Sequence, residues 1–511
     1  SILEKRTKRN DSKMLYEKYQ KNLFEGYKMN RRKFLKNLGV GIAALTLPGC
    51  NISSRKGSGD ALTGKRPNIL FIMTDQQFAD IMSCRMGTKY INTPAMDSLA
   101  KNGMLFTDAY TANPLCMPAR NSIFTGRYPH ETGRQINCKW QLDPAEFVNM
   151  GTYFKNAGYD TGYVGKWHLW YKTKDKKSHG FDMTAVLKNN GHDDEMPAPA
   201  IAFMQKDRVN PFLLVVSFSN PHDVCQLARH EKLPSGPIPP LPPMDQRPPL
   251  KNNMAPPINE SDAMTLMRKS YHNSSKFPVG NYDEDKWRRL SWGYYRLVEK
   301  VDALIGKVLE GLKESGQLDN TLIVFTSDHG DCHGAHRFNQ KTVFYEESAR
   351  VPLILSYKNI IKHGTSDMLV NTGIDTLATM LDFANIDQPK KLPGRSLKKI
   401  ALGKQPQQWR HYIVAQNFMT QGGPVDGKTP KVKGRMVRTN SHKYCVYDHG
   451  KQREELFDME KDRLEKENLA VKPQFKDILK QHRDFLKAFA VKYKDETALA
   501  MLNQLRKYQK R

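Results

Sequence analysis

The 511-residue sequence predicts an α/β protein with a large, mostly parallel central sheet flanked by helices, followed by a smaller C-terminal α+β domain. Three observations predict it. Uninterrupted apolar runs end in polar or charged residues at three places, a long amphipathic segment separates the last two, and the composition shifts near residue 405.

The first run, "NILFIMTDQQ" (68–77), is apolar without alternation, as suits a strand covered on both faces. It ends at Asp75 and Gln76. "NTPAMDSLAKNG" (92–103) follows as a helix with Thr93 as N-cap, Pro94 in the first turn and Gly103 as its stop. "PFLLVVSFSNPHD" (211–223) predicts a second strand over Phe212–Phe218 that delivers His222 and Asp223. The insertion "LPSGPIPPLPPMDQRPPLKNNMAPP" (233–257) is too proline-rich for a helix or central strand, and is placed either to overhang a site or to lie as a passive surface loop. "WGYYRLVEKVDALIGKVLEGLKESG" (292–316) has apolar positions at helical spacing and ends in Gly316, a crossover helix of the kind parallel strands need. "NTLIVFTSDHGD" (320–331) supplies the third strand, over Leu322–Thr326, and delivers Asp328 and His329. Ligand sites of open α/β sheets lie at the carboxyl edge of the strands, where these residues fall.

A catalytic domain of residues 67–405 and a C-terminal domain of 406–511 follow from the composition shift. In the latter, "GRMVRTNSHKYCVYD" (434–448) reads as a hairpin, "FKDILKQHRDFLKAFAVKYK" (475–494) as a helix and "LRKYQKR" (505–511) as a solvated basic tail. No internal repeat is present.

"MNRRKFLKNLGVGIAALTLPGC" (29–50) resembles a twin-arginine export signal through Arg31, Arg32, Phe34 and Leu35, closed by a lipobox-like "LPGC". Its apolar run is too short to span a bilayer comfortably. The expectation is therefore an upstream extension over 1–28 with Met29 as the native start, a signal over 29–50 and a tether over 51–66. The mature protein would be an exported bacterial envelope lipoprotein, periplasmic or on the surface, touching the membrane only through a lipid on Cys50.

A formal net charge of +27 points to a polyanionic partner, although an excess of 11 positive charges falls within residues 1–66. No aromatic-interleaved basic module or zinc spacing supports nucleic-acid binding. Mean hydropathy of −0.65 argues against a polytopic membrane protein. The seven cysteines include no CxxC pair, so they build neither a zinc framework nor a dense disulfide scaffold.

One cysteine has a distinctive setting. "NPLCMPARNSIFTG" (113–126) places Cys116 two residues before Pro118 and four before Arg120, and "GYDTGYVGKWHL" (158–169) follows. In this order, together with "TSDHGDCHGAHRFNQKTVFYEESARVPLIL", "RMVRTNSHKY" and "EELFDMEKDRLEKENLA", the chain from about residue 66 onward resembles the sulfatases of the alkaline phosphatase superfamily. The resemblance implies that a sulfatase-maturing enzyme, recognising Pro118 and Arg120, oxidises Cys116 to formylglycine, whose hydrated aldehyde is the nucleophile. One hydroxyl attacks sulfur and the second lets the covalent sulfate depart. By the same carry-over, Asp75, Gln76, Asp328 and His329 are the metal ligands of one Ca²⁺, a hard-cation site. Asp328 is also placed to take the nucleophile's proton, Arg120 and Lys166 to stabilise the activated residue and sulfate charge, and His168 to assist collapse of the hemiacetal. His222 and Lys341 would bind sulfate and protonate the leaving group. Candidate substrate residues are His192, Asp193, His336, Arg337 and Asn339, each in a polar segment near a motif.

The implied activity is removal of sulfate from sulfated carbohydrate. This chain departs from the common pattern at Gln76, where Asp is usual, at His329, where Asn is frequent, and at Met117, where a smaller residue is usual. Phosphonate and phosphodiester hydrolases share the first two variants, so a phosphonate or phosphate-ester hydrolase of the same superfamily is the enzymatic alternative. A non-catalytic envelope binder of acidic glycans is the other.

Overall fold

A computed structural model describes residues 65–186 and 192–509, so Cys50, the twin-arginine segment and the tether lie outside the described residues. Among the described residues no helix is long and apolar enough to cross a membrane.

Ten strands build the body: β1 (Asn68–Asp75), β2 (Met104–Phe106), β3 (Ala109–Tyr110), β4 (Asp160–Gly165), β5 (Met183–Val186), β6 (Phe212–Pro221), β7 (Thr321–Ser327), β8 (Leu353–Ser356), β9 (Gly364–Ser366) and β10 (Val370–Asn371). The main sheet runs β5-β4-β6-β1-β7-β8-β2-β9, while β3 and β10 pair separately. From β5 to β7 every pairing is parallel; β8 runs antiparallel to both its neighbours. The apolar runs behave as their lack of alternation demands. Ile69, Phe71, Leu213, Val215, Leu322 and Val324 enter the core on one face, and Leu70, Ile72, Leu214, Val216, Ile323 and Phe325 enter the core on the other.

Three helices pack on this sheet: α1 (Pro94–Lys101), α2 (Cys116–Thr125) and α3 (Glu284–Glu314). The ends of α1 differ from expectation in their cause. Thr93 makes no capping bond to the helix backbone. Instead Asp302, from α3, accepts the N–H groups of Ala95 at 3.1 Å and Met96 at 2.8 Å, so the cap comes from a distant carboxylate. Gly103 is present for close approach, because a Cβ there would sit 2.4 Å from the carbonyl oxygen of Leu355 in β8. Helix α3 starts eight residues before Trp292, where the Asp283 side chain accepts Lys286 N–H at 2.9 Å.

The C-terminal part forms an antiparallel meander of β11 (Tyr412–Met419), β12 (Val432–Thr439), β13 (His442–Tyr447) and β14 (Glu454–Asp458), with helices α4 (Lys476–Tyr493) and α5 (Glu496–Gln509). The expected hairpin is β12–β13. Helix α5 runs into the basic terminus, with Ala498, Met501, Leu502 and Leu505 buried in the cluster that α4 also joins.

His482 of α4 is buried between the carbonyl of Ile478, 2.8 Å from Nδ1, and Thr439 Oγ1, 3.1 Å from Nε2. Burial pulls its pKa down to about 4. The unfolded imidazole titrates near 6.5, so this contribution to stability is complete above pH 6.5 and is lost as pH falls toward 4, about 3 kcal/mol in all. Urea midpoints measured across that range should fall, and His482→Gln should flatten the slope.

Candidate active site

Four adjacent parallel strands, β4, β6, β1 and β7, end at one edge of the sheet. Lys166 and His168 follow β4, His222 follows β6, Asp75 and Gln76 close β1, and Asp328 and His329 follow β7. Register brings them level: Asp75 pairs with Pro221, Thr74 with Ser327 and Gly165 with Ser217. Gly165 has a φ of +102°, and a Cβ there would lie 2.0 Å from the Ser217 carbonyl oxygen, which accepts Lys166 N–H at 2.7 Å. The chain can turn there only without a side chain.

Cys116 is the first residue of α2, after an extended Leu115. Pro118 lies in the first turn, where no backbone N–H is required. Gly126, left-handed at φ 67°, ends the helix. The thiol thus sits at a helix N-terminus against the strand ends, with Sγ 3.1 Å from His329 Nε2, 3.2 Å from Lys341 Nζ and 3.7 Å from Asp75 Oδ1. His168 and His222 lie close enough to influence its titration. Burial and the Asp75 charge push the thiol up, but Lys341, His329 and His168 outweigh them and hold it well below the ordinary thiol range.

Arg120, one turn further along α2, is fully buried. Its Nε donates to Asp328 Oδ2 at 2.7 Å, Nη2 to Asp75 Oδ2 at 3.0 Å, and Nη1 to Ser217 Oγ at 2.8 Å and the Lys166 carbonyl at 3.1 Å. Four of the five guanidinium N–H donors are thus committed to the two acids and the strand ends. Lys166 Nζ forms an ion pair with Asp75 Oδ2 at 2.8 Å.

The two carboxylates titrate apart. Burial raises Asp75, but Lys166, His222, Arg120 and Lys341 hold it well below the usual carboxylate range, whereas burial and the neighbouring Asp75 charge push Asp328 up. One ligand atom from each of Asp75, Cys116, Asp328 and His329 lies within 4.8 Å of the others. Two buried carboxylates that repel each other, beside an imidazole nitrogen, fit a divalent cation, whose charge would favour the ionised form of Asp328. Gln76, at φ 70°, turns its Oε1 to Lys341 Nζ at 2.6 Å. His222 is held neutral, its pKa pulled down to about 3 by burial, Lys166 and Lys341. His168 is also lowered by burial, and each of these rings leaves Nδ1 without a protein partner.

The substrate candidates disperse. Asp193 is buried, and its two oxygens accept the N–H groups of Ser219 and Asn220, each at 2.7 Å, so it fixes the end of β6. His336 has Nδ1 3.1 Å from the Ala255 carbonyl and its ring tilted against Tyr345, with the centroids 4.0 Å apart. Asn253 bonds the His336 backbone at 2.7 Å and Glu347 at 3.0 Å, which fastens the proline-rich insertion beside that loop. His192 and Arg337 are exposed. Asn339 is buried with both amide atoms unpartnered, so it is the member of this group with hydrogen-bonding capacity to offer.

Some residues escaped the sequence reading. Asp331 Oδ2 accepts Gln76 Nε2 at 2.6 Å, and Gln340 Oε1 lies 3.3 Å from the same nitrogen, which together orient the Gln76 carbonyl. Cys225 donates to Gln340 Oε1 at 3.1 Å. Asp331 stands three residues after Asp328 in "SDHGD", a signal that could have found it; Gln340 and Cys225 had none.

The family model described as Sulfatase matches residues 67–386, and the one described as N-sulphoglucosamine sulphohydrolase, C-terminal, matches 334–492. An N-acetylglucosamine-6-O-sulfatase of Bacteroides thetaiotaomicron is 28% identical over 89% of this chain and 90% of its own. The solved structure of a 2-O GAG sulfatase superposes with a TM-score of 0.75 at 26% identity, covering 85% of this chain and 94% of that one. A phosphonate monoester hydrolase of Agrobacterium radiobacter shares the fold, with a TM-score of 0.65 at 20% identity over 84% of this chain and 96% of its own.

Proposed function

The chain belongs to the sulfatase family and is a sulfuric ester hydrolase; we propose that it removes sulfate from sulfated glycans, using formylglycine made from Cys116 beside a bound divalent cation. The glycan reading draws on the named activities of its relatives and on the net charge of +27. The observation that carries the catalytic reading is Cys116 Sγ, at the start of α2 and within 3.7 Å of Asp75, His329 and Lys341.

Asp75, Asp328, His329 and the Gln76 carbonyl would hold the cation, with Ca²⁺ the ion that so oxygen-rich a set favours. Formylglycine supplies an oxygen nucleophile, and the cation supplies positive charge for the sulfate oxygens. The rest falls to the protein's own groups. Lys341, pinned by the Gln76 oxygen and held protonated by Cys116 and Asp75, keeps its ammonium charge at the reacting residue, where it serves an anionic substrate. Lys341, which stays protonated, is the group to hand a proton to the departing sugar oxygen, and His222, neutral with a free ring nitrogen, can hydrogen-bond beside it. His168 contacts residue 116 independently and can relay its proton.

Mass spectrometry of the peptide containing Cys116, from protein made in its native host, should show a loss of about 18 Da relative to the thiol, the difference between CH₂SH and CHO. An unmodified thiol there would remove the nucleophile. Hydrolysis of phosphonate or phosphate esters at the same site is a second reading, favoured by Gln76 and His329; relative turnover of aryl sulfate and aryl phosphonate esters ranks the two.

A further inference from the structure

We propose that the loop of residues 134–141 forms a second sugar subsite beside the nucleophile, in which Trp140 and Arg134 hold an anionic sugar adjoining the one that loses its sulfate. The inference deepens the sulfated-glycan reading above and rests on it.

The loop's attachments locate it. Asn137 Oδ1 accepts the N–H of Met117, the residue after Cys116, at 3.0 Å. The Cys138 carbonyl accepts Trp170 Nε1 at 3.2 Å, and Leu142 N–H donates to the Trp170 carbonyl at 2.9 Å, two residues beyond His168. Gln135 Oε1 takes a bond from Arg435 at 3.4 Å. The loop is therefore tied to both the helix that starts at the nucleophile and the segment that carries His168, which puts it beside the site.

Apart from a cation–π contact between Arg134 and Trp140, its outward side chains are little used by the fold. Trp140 is 41% exposed, whereas Trp167, Trp170, Trp287 and Trp292 are buried. The Arg134 guanidinium lies 4.0 Å from the indole centroid. Its only hydrogen bond, at 3.5 Å, reaches the carbonyl of its own neighbour Gly133, and among the described residues neither it nor Lys139 has an acidic partner. An exposed indole beside unpaired cations, on a loop already anchored, suits a sugar ring that stacks its C–H face on the indole and sets a carboxylate or sulfate on the guanidinium. Pre-anchoring lowers the ordering cost of such binding.

The test uses the matured enzyme with 4-nitrophenyl sulfate as reporter and uronate-containing sulfated tetrasaccharides, or a sulfated monosaccharide, as competitors. In Trp140→Ala the Ki of the tetrasaccharides should rise about tenfold, the loss of one contact of about 1.4 kcal/mol, and Arg134→Gln should do the same. kcat and KM for the aryl ester, the Ki of the monosaccharide and the thermal midpoint should stay unchanged. No inhibition of the parent by the tetrasaccharides, an unchanged Ki in both variants, or an equal shift for the monosaccharide overturns the subsite. A parent enzyme inert toward every sulfate ester would instead remove the sulfatase reading beneath it.

Discussion

Cys116→Ala should abolish sulfate-ester turnover, by at least about 10⁴-fold, as removal of a nucleophile does elsewhere, while the protein stays folded. Sγ is the atom on which Lys341, His329 and Asp75 converge, and its loss leaves them with nothing to activate. Stability should hold because the substitution removes only a small side chain from the first position of a helix, where alanine is well tolerated. Single-turnover assays on a sulfated saccharide, paired with a thermal melt, separate the two effects. Residual activity within tenfold of the parent would show that another group attacks the ester.

Arg120→Met should lower stability by about 3–5 kcal/mol, the cost of stripping a buried ion pair of one partner. The guanidinium spans Asp75 and Asp328 and ties them to Ser217 and the Lys166 carbonyl, all out of contact with water. Without it, two carboxylates remain buried side by side, and Asp328, already pushed up by its neighbour, takes a proton more firmly. Urea unfolding should show the loss, and added Ca²⁺ should restore part of it by supplying charge between the same acids. Arg120→Lys should fall between parent and Met, since an ammonium offers the charge but not the fork of donors. A Met variant as stable as the parent would mean that the acids do not depend on this contact.

Much of the fold was legible because β1, β6 and β7 are covered on both faces, and that burial writes an unbroken apolar run into the chain. β4 was harder to see, since "DTGYVG" owes its glycines to the packing of Ser217 and Leu214 against it. The cap of α1 by Asp302 could not be read locally, as the carboxylate arrives from a helix about two hundred residues later. The residues named from the motifs around Cys116 do gather at one edge, because strand ends and a helix start are fixed by the backbone. Asp193, His336 and Arg337 were chosen only for polarity near a motif. Polarity does not distinguish a side chain that faces a ligand from one that satisfies the backbone, as Asp193 does at the end of β6.

If Cys116 is converted as proposed, its burial, 1% exposed beneath the ends of β1 and β7, would also set a clock on biosynthesis. An enzyme that must grip "CMPAR" as an extended peptide has no access once α2 has wound and the sheet has closed around it. On the proposed reading, modification would compete with folding on the newly made chain, and molecules that folded first would be committed to the thiol. A preparation would then be a fixed mixture of competent and incompetent molecules, its specific activity set by the ratio of two rates during synthesis and not by later incubation.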